Sequence, residues 1–199
     1  MHPHPGYAWK DEAEMLAFLS EVSFSTIFVS GESGPMLVHA PVVVQGSDRL
    51  RFHISRANRI AGSLDGARAL LSCAGPDAYV SPDWYGTPDQ VPTWNYLAVE
   101  CEGPLRRLDE MELGQLLDDL GAVQEGRLAP KPVWTRAKMT PGRFESMLKA
   151  IVGFEMRIDA IRGTRKLGQV KTIDERRAAA AGVAGTGNAA MAALMIPAE

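Results

Sequence analysis

The chain has 199 residues, of which 46% are hydrophobic and 23% charged, and its formal net charge is −3 at pH 7. This composition is typical of a globular protein with a sizeable core, and the charge argues against broad electrostatic adhesion to nucleic acid or anionic membrane. No apolar run approaches the ~20 residues needed to cross a bilayer. The first six residues lack the regions of a secretory signal, and Cys73 and Cys101 have no CxxC spacing. A cytoplasmic protein with no membrane contact is expected.

Hydrophobic periodicity and turn residues predict short elements along the chain. In chain order these are a helix over 11–22, strands over 24–30, 36–44 and 50–55 with a turn at 31–35, a helix over 58–64, strands over 69–74 and 78–80 around a turn at 75–77, a strand over 94–105, helices over 109–120 and 143–150, a strand over 153–161 and a helix over 174–181. Asp109 is the expected N-cap of its helix.

This succession of strands with few helices predicts a fold class that is mostly β with added helices, an antiparallel barrel. A doubly wound sheet needs regular strand–helix alternation, which the first half of the chain lacks. Residues 1–181 are expected to form a single domain, and residues 182–199 a flexible C-terminal tail.

The segment from 79 to 96 is rich in aromatic rings and in short hydrogen-bonding side chains, among them Ser81, Thr93 and Asn95. Its aromatic residues are Tyr79, Trp84, Tyr85, Trp94 and Tyr96. Such a segment suits a flat polar ligand. The alternative is a stiff proline-rich connection whose aromatic residues cap the core.

A second polar cluster ends the strand over 50–55. His53 and Ser55 lie on its polar face, and Arg56 and Asn58 follow. A hydroxyl, a guanidinium and the free N–H groups of a helix beginning near Asn58 would suit a phosphate. The alternative is an exposed strand face followed by an ordinary N-cap.

Other polar residues carry weaker signals. His39, alone in an apolar strand, is more typical of a hydrogen-bonded structural residue than of a ligand. His2 and His4 lie in a terminus expected to be mobile, and no Cys, Asp or Glu at ligand spacing supports a metal site. Neither a nucleophile elbow nor a GxGxxG or Walker pattern is present, and the helix over 174–181 lacks the second helix of a DNA-binding helix-turn-helix.

Several segments together resemble the PaiB-type family of FMN-binding negative transcriptional regulators, which have the split-barrel fold of pyridoxamine-phosphate-oxidase-like flavoproteins. They occur in the family's order and are Ser23–Thr26, His39–Pro41, His53 with Asn58, Gly75–Pro82 with Trp84–Tyr85, Val91–Tyr96, Ile151–Phe154 and Lys166–Leu167. The chain departs from the family at Gly168 and Val170, where the family commonly has Ser and Asn. These departures remove a hydroxyl and an amide from that segment.

The resemblance implies a split β-barrel homodimer that holds FMN at the subunit interface. It implies that the flavin-phosphate side of the site is formed by His53, Ser55, Arg56 and Asn58. It also implies that the loop that lies against the ring system, or closes the dimer cleft, contributes Ser81, Trp84, Thr93, Trp94, Asn95 and Tyr96. Lys166 is the implied basic contact, from the partner subunit or from the C-terminal segment.

Three functions follow as hypotheses. The first is a regulatory flavoprotein that acts on transcription directly or through a partner, although no clear DNA-binding motif is present. The second is an FMN-dependent oxidoreductase that passes hydride from NAD(P)H to a small acceptor, an analogy at the level of fold. The third is a haem-binding split barrel with His39 or His53 as axial ligand. No catalytic residue is assigned.

Overall fold

The structure is a computed structural model that describes residues 1–31 and 34–196. Its strands are β1 (Ala8–Trp9), β2 (Phe24–Gly31), β3 (Gly34–Gln45), β4 (Arg49–Ser55), β5 (Arg68–Val80), β6 (Thr93–Arg107), β7 (Ile151–Arg157) and β8 (Ala160–Lys166). Its α-helices are α1 (Glu12–Val22), α2 (Glu110–Gly126), α3 (Arg143–Leu148), α4 (Ile173–Gly185) and α5 (Ala189–Met195). Residues 32 and 33 of the predicted turn lie outside the described residues. Within the described residues, no helix is both long and apolar enough to span a bilayer.

The chain divides into two compact units. The first comprises Met1–Met15, Ala74–Val99 and Arg162–Glu199, and the second comprises Leu16–Cys73 and Glu100–Ile161. Strands β5 and β6 therefore supply residues to both units.

The second unit is built on a β-barrel. Its strands follow the order β6-β5-β2-β3-β4-β7, and β7 pairs again with β6, which closes the sheet. Strand β4 alternates as its sequence predicts: Leu50 and Phe52 are fully buried inside, whereas His53 lies on the other face. The predicted mostly antiparallel barrel with added helices is confirmed.

One glycine of this barrel lies where a side chain would collide with main chain. A Cβ atom on Gly103 of β6 would lie 1.7 Å from the carbonyl oxygen of Arg157, at the end of β7. This distance is far below van der Waals contact, so the position accepts only a residue without a side chain.

Helix α2 begins at a capping box in the second unit. The Asp109 carboxylate accepts a hydrogen bond from the Glu112 N–H at 2.8 Å, and the Glu112 carboxylate accepts one from the Asp109 N–H at 3.0 Å. The predicted N-cap is thus confirmed. Leu113 and Leu116 of α2 are buried in an apolar cluster that includes Leu148 of α3.

In the first unit, β1 pairs with β8, and α4 begins at a second capping box, between Thr172 and Glu175. Where a flexible tail was predicted from residue 182, α4 continues to Gly185 and α5 follows. The physical reason is burial: Val183, Met191 and Met195 are almost completely buried, a pattern that the many small residues around them obscure. Residues 197–199 of the predicted tail lie outside the described residues.

Three other elements differ from their predictions. Strand β5 runs unbroken through Gly75–Asp77, because an extended backbone accommodates Pro76 without a turn. The predicted strand over 153–161 is two strands, β7 and β8, interrupted at 158–159. The helix predicted over 58–64 is a turn followed by a single 3₁₀ turn at Ala61–Ser63.

Candidate functional site

His53 is the first predicted site residue with an unusual environment. Its ring is half-buried in the second unit, and desolvation lowers the pKa of the imidazole, which keeps the ring neutral near pH 7. Its Nδ1 atom is buried and has no hydrogen-bond partner within the described residues. A buried polar atom in this state is uncommon in folded proteins.

The His53 ring lines an apolar cavity of about 410 Å³, called here the His53 cavity. Its other lining residues are Leu117, Asp118, Trp134, Arg136, Met139, Phe144, Met147, Leu148 and Ile151. Arg136 pairs with Asp118 at 3.2 Å, and its guanidinium lies 4.9 Å from the centroid of the Phe144 ring. Trp134, Arg136 and Met139 belong to the segment between α2 and α3, for which the sequence contained no motif. The tryptophan within a proline-rich polar stretch was the one available signal.

The rest of the strand-end cluster bonds mainly to nearby backbone. The Ser55 hydroxyl accepts a hydrogen bond from the Ala57 N–H at 3.3 Å, and the Asn58 side-chain oxygen accepts one from the Ile60 N–H at 3.2 Å. These local bonds close the turn that replaces the predicted helix start. The free N–H groups of a helix N-terminus, which were expected to bind a phosphate, are therefore absent from this turn.

The Arg56 side chain connects the end of β4 to the turn between α3 and β7 through hydrogen bonds. Its Nε and Nη2 atoms donate to the carbonyl oxygens of Lys149 at 3.0 Å and Ile151 at 2.8 Å. Arg56 also lines a second cavity of about 300 Å³, together with Arg107, Lys149 and residues around the start of α2. Arg56 thus combines a structural contact with a place beside a cavity that is lined both by cations and by the acids Asp109 and Glu110.

In the first unit, three predicted residues meet at one cleft of about 160 Å³, called here the Lys166 cleft. It is lined by Tyr7, Tyr85, Val91, Thr93, Asn95, Lys166, Gly168, Val170 and Lys171. The Lys166 ammonium donates to the Thr93 hydroxyl at 2.5 Å and lies 5.6 Å from the Tyr7 ring centroid. Burial lowers the pKa of Lys166. Asn95 is only 1% exposed, and its Nδ2 has no partner within the described residues.

The other aromatic-segment residues do not line this cleft. Ser81 caps the short 3₁₀ helix Pro82–Tyr85. Trp84 packs against Gly182 of α4, and Tyr96 is half-buried. Trp94 is 54% exposed and contacts Tyr79 edge-to-face, with ring centroids 6.1 Å apart.

The histidines outside the strand end have mainly structural contacts. His39 shares a hydrogen bond of 3.0 Å with the Thr26 hydroxyl and stacks on Phe24, which agrees with the structural interpretation. The N-terminal segment is held in place, contrary to the mobile terminus expected: the His2 N–H donates to the Thr164 hydroxyl at 3.1 Å, and the His4 ring contacts Tyr7. In the part of the chain that the structure describes, no group of three metal-ligating side chains occurs.

The predicted site residues thus form two groups. His53, Ser55, Arg56 and Asn58 lie in the second unit, and the group that includes Thr93, Asn95 and Lys166 lies in the first. Sequence patterns missed Tyr7 and Lys171, since neither belongs to a recognisable motif.

Residues 1–160 match a family described as "Putative FMN-binding domain". The chain belongs to this family. A relative named Protease synthase and sporulation protein PAI 2, from Bacillus subtilis (strain 168), is 31% identical over 160 residues, which are 78% of this chain and 76% of the relative. The predicted PaiB-type membership is therefore confirmed.

Solved structures confirm the split-barrel fold. The FAD and heme binding protein from Mycobacterium smegmatis superposes with a TM-score of 0.58 at 18% identity, over 81% of this chain and 74% of that protein. The flavocytochrome Anf3 from Azotobacter vinelandii superposes with a TM-score of 0.59 at 17% identity, over 84% of this chain and 73% of that protein. At these identities the likeness concerns the fold alone.

Proposed function

We propose that this protein binds FMN as a split-barrel homodimer and acts as a PaiB-type regulator of transcription. One observation supports the flavin part beyond family membership: His53, predicted as a site residue from the sequence, carries a buried polar atom with no partner within the described residues. Leaving such an atom unpaired costs about 1–3 kcal/mol. A ligand that supplies the missing partner recovers this cost, and the polar edge of a flavin ring offers suitable carbonyl and ring-nitrogen groups.

The same residues fit the other needs of FMN. A flavin ring needs an apolar or aromatic wall, which the His53 cavity supplies through Trp134 and Phe144. Its phosphate needs cations, and Arg56, Arg107 and Lys149 outnumber the acids Asp109 and Glu110 in the cavity that all five line. Arg56 uses two N–H groups on backbone carbonyls and keeps the others of its five for an anion.

The regulatory part rests on the name of the Bacillus subtilis relative, a sporulation protein. Helix α4 is a poor candidate for reading DNA. Arg176 is half-buried, and its Nε is buried, so only Arg177 of the arginine pair is exposed. Action through a protein partner is therefore favoured over direct DNA contact. A gel shift with the protein's own upstream region at physiological salt tests this, because retardation would show direct binding.

Titration of FMN into flavin-free protein, followed by flavin fluorescence, tests the cofactor assignment. We expect saturable binding at one FMN per chain, and light scattering should report a dimer with and without FMN. Absence of FMN binding to correctly folded protein would overturn the assignment. The visible spectrum of freshly purified protein also separates flavin from haem, because only haem produces a Soret band.

A second candidate function is an FMN-dependent oxidoreductase, and the state of His53 favours it. When bound, FMN supplies hydride transfer between a nicotinamide and an acceptor. A neutral imidazole that lines an apolar cavity, with an Nδ1 atom that has no hydrogen-bond partner within the described residues, is suited to give or take a proton. Anaerobic mixing of the FMN-bound protein with NADH or NADPH tests this, because bleaching of the flavin within seconds is expected of an enzyme. A flavin that stays oxidised for minutes would exclude it.

A further inference from the structure

The Lys166 cleft is unusual in the charges of its lining. Two ammonium groups (Lys166 and Lys171), the amide of Asn95 and several hydroxyl groups line it, and among the described residues no carboxylate does. Glu175 does not line the cleft, but it acts electrostatically on Tyr85 and on Lys171 and accepts hydrogen bonds from Thr87 and Thr172. Cations without a lining acid create a local positive potential.

Two donors beside the cleft have no acceptor. Asn95 Nδ2 is buried and unpartnered within the described residues, and so is Arg176 Nε behind it. Gly168 separates them: a Cβ atom at this position would lie 3.7 Å from Asn95 Nδ2 and 3.7 Å from Arg176 Cγ. Gly168 places no side chain between them, and both Gly168 and Asn95 line the cleft.

The Lys166 ammonium also has fewer hydrogen-bond acceptors near it than it has N–H donors. This ammonium has three N–H donors. Within the described residues it donates one hydrogen bond, to the Thr93 hydroxyl, and it lies over the face of the Tyr7 ring. A partly desolvated ammonium gains most from an anion, because water no longer screens the interaction fully.

We propose that the Lys166 cleft is a binding site for one oxyanion, a phosphate or carboxylate group, held by Lys166, Asn95 and Lys171. The volume of about 160 Å³ is that of a few water molecules. It admits a single anionic group but not a whole flavin. The anion has two possible sources, the phosphate of FMN or a separate small anion such as an effector, and the site itself does not depend on flavin binding.

Inorganic phosphate is the first probe. Added at constant ionic strength to flavin-free protein, it should raise the midpoint of thermal unfolding in a saturable way. Lys166→Met and Asn95→Leu should each weaken phosphate binding about tenfold or more, and Lys166→Arg should retain it. The matched control is Arg165→Gln, because Arg165 is the preceding residue but pairs with Glu14 at 3.2 Å and lies over Trp9. This control should bind phosphate like the wild type.

Equal losses in Arg165→Gln and Lys166→Met would show diffuse attraction and overturn the proposal, as would the absence of saturable binding to wild type. If Lys166→Met does not fold, Asn95→Leu and Lys166→Arg decide in its place.

FMN and riboflavin then distinguish the two sources. If the flavin phosphate occupies the cleft, Lys166→Met weakens FMN binding but leaves riboflavin binding unchanged. If a separate anion occupies the cleft, Lys166→Met weakens the binding of inorganic phosphate but leaves the binding of FMN and of riboflavin unchanged. Failure of wild type to bind FMN would sink the proposed function and leave the phosphate result standing.

Discussion

The indole of Trp84 lies directly against the main chain of Gly182 in helix α4. A Cβ atom at position 182 would come within 2.3 Å of Cδ2 of the ring. Trp84, which the family resemblance implies as a flavin contact, therefore packs the short 3₁₀ helix Pro82–Tyr85 onto α4 in the first unit. Its main role in this structure is packing.

Gly182→Ala should destabilise the protein by about 1–3 kcal/mol, because the added methyl group displaces the ring of Trp84. Urea unfolding followed by circular dichroism measures the change. Gly185→Ala is the matched control: it lies in the same helix, and a Cβ there meets nothing within 4 Å. The control should be neutral or stabilising, by up to about 1 kcal/mol, through helix propensity. Equal destabilisation by both variants would contradict close packing at position 182.

Asn95→Leu should separate stability from binding. Because the amide nitrogen of Asn95 is buried with no partner within the described residues, its removal should raise the free energy of unfolding by about 1 kcal/mol. The same change should weaken the binding of inorganic phosphate about tenfold or more, because it removes one donor of the Lys166 cleft. Chemical unfolding without ligand and thermal unfolding with added phosphate measure the two effects. A variant that loses stability would identify the amide as a structural group.

Arg56→Ala should weaken the protein even without ligand. Its two bonds to the Lys149 and Ile151 carbonyls are solvent-exposed, so a loss of about 1 kcal/mol is expected. FMN affinity should fall further, by about tenfold to a hundredfold, if the guanidinium contacts the phosphate. Arg59→Ala is the control, since Arg59 is exposed and has no side-chain partner within the described residues. Unchanged FMN affinity in Arg56→Ala would remove Arg56 from the site.

Acid should release an ion-pair network on the second unit. Arg106 pairs with both oxygens of Glu112 at 2.8 Å and with Glu155 at 2.9 Å, and Arg51 pairs with Glu155 at 2.7 Å. The Arg106 hydrogen bonds, aided by the Asp109 N–H, lower the pKa of Glu112 from 4.5 to about 2. Burial alone would raise the pKa of Glu155, but hydrogen bonds from Arg106 and Arg51 outweigh it, and its pKa is also lowered.

A carboxylate with a lowered pKa in the folded state binds fewer protons than in the unfolded state. The contribution of the network to stability is therefore complete above about pH 4.5 and is lost as the pH falls towards about 2. Arg106→Gln should lower stability at pH 7 by about 1–3 kcal/mol and flatten its decline below pH 4.5. The exposed Arg143→Gln should leave the profile of unfolding free energy against pH unchanged. Parallel profiles for wild type and Arg106→Gln would contradict this assignment.

Local patterns predicted much of the fold. The alternation in β4 and the cap at Asp109 were readable because each depends on residues close together in the chain. The unbroken β5 was not, since a Gly-Pro-Asp sequence favours a turn and only pairing with neighbouring strands keeps it extended.

Long-range contacts explain what remained hidden in the site. The His53 cavity depends on Trp134 and Phe144, far along the chain from His53, and the Lys166 cleft depends on Tyr7. His53 and Asn95 were singled out from the residue pattern, and the family resemblance then implied roles for them and for Lys166. The unpartnered atoms of His53 and Asn95 became visible only with the packing around them.

The contact between Gly103 and the Arg157 carbonyl also has an evolutionary consequence. In a library that carries every amino acid at each codon, position 103 should lose all replacements under selection for folded protein, alanine included. Neighbouring positions of β6 and β7 should tolerate substitution, provided that position 103 remains glycine.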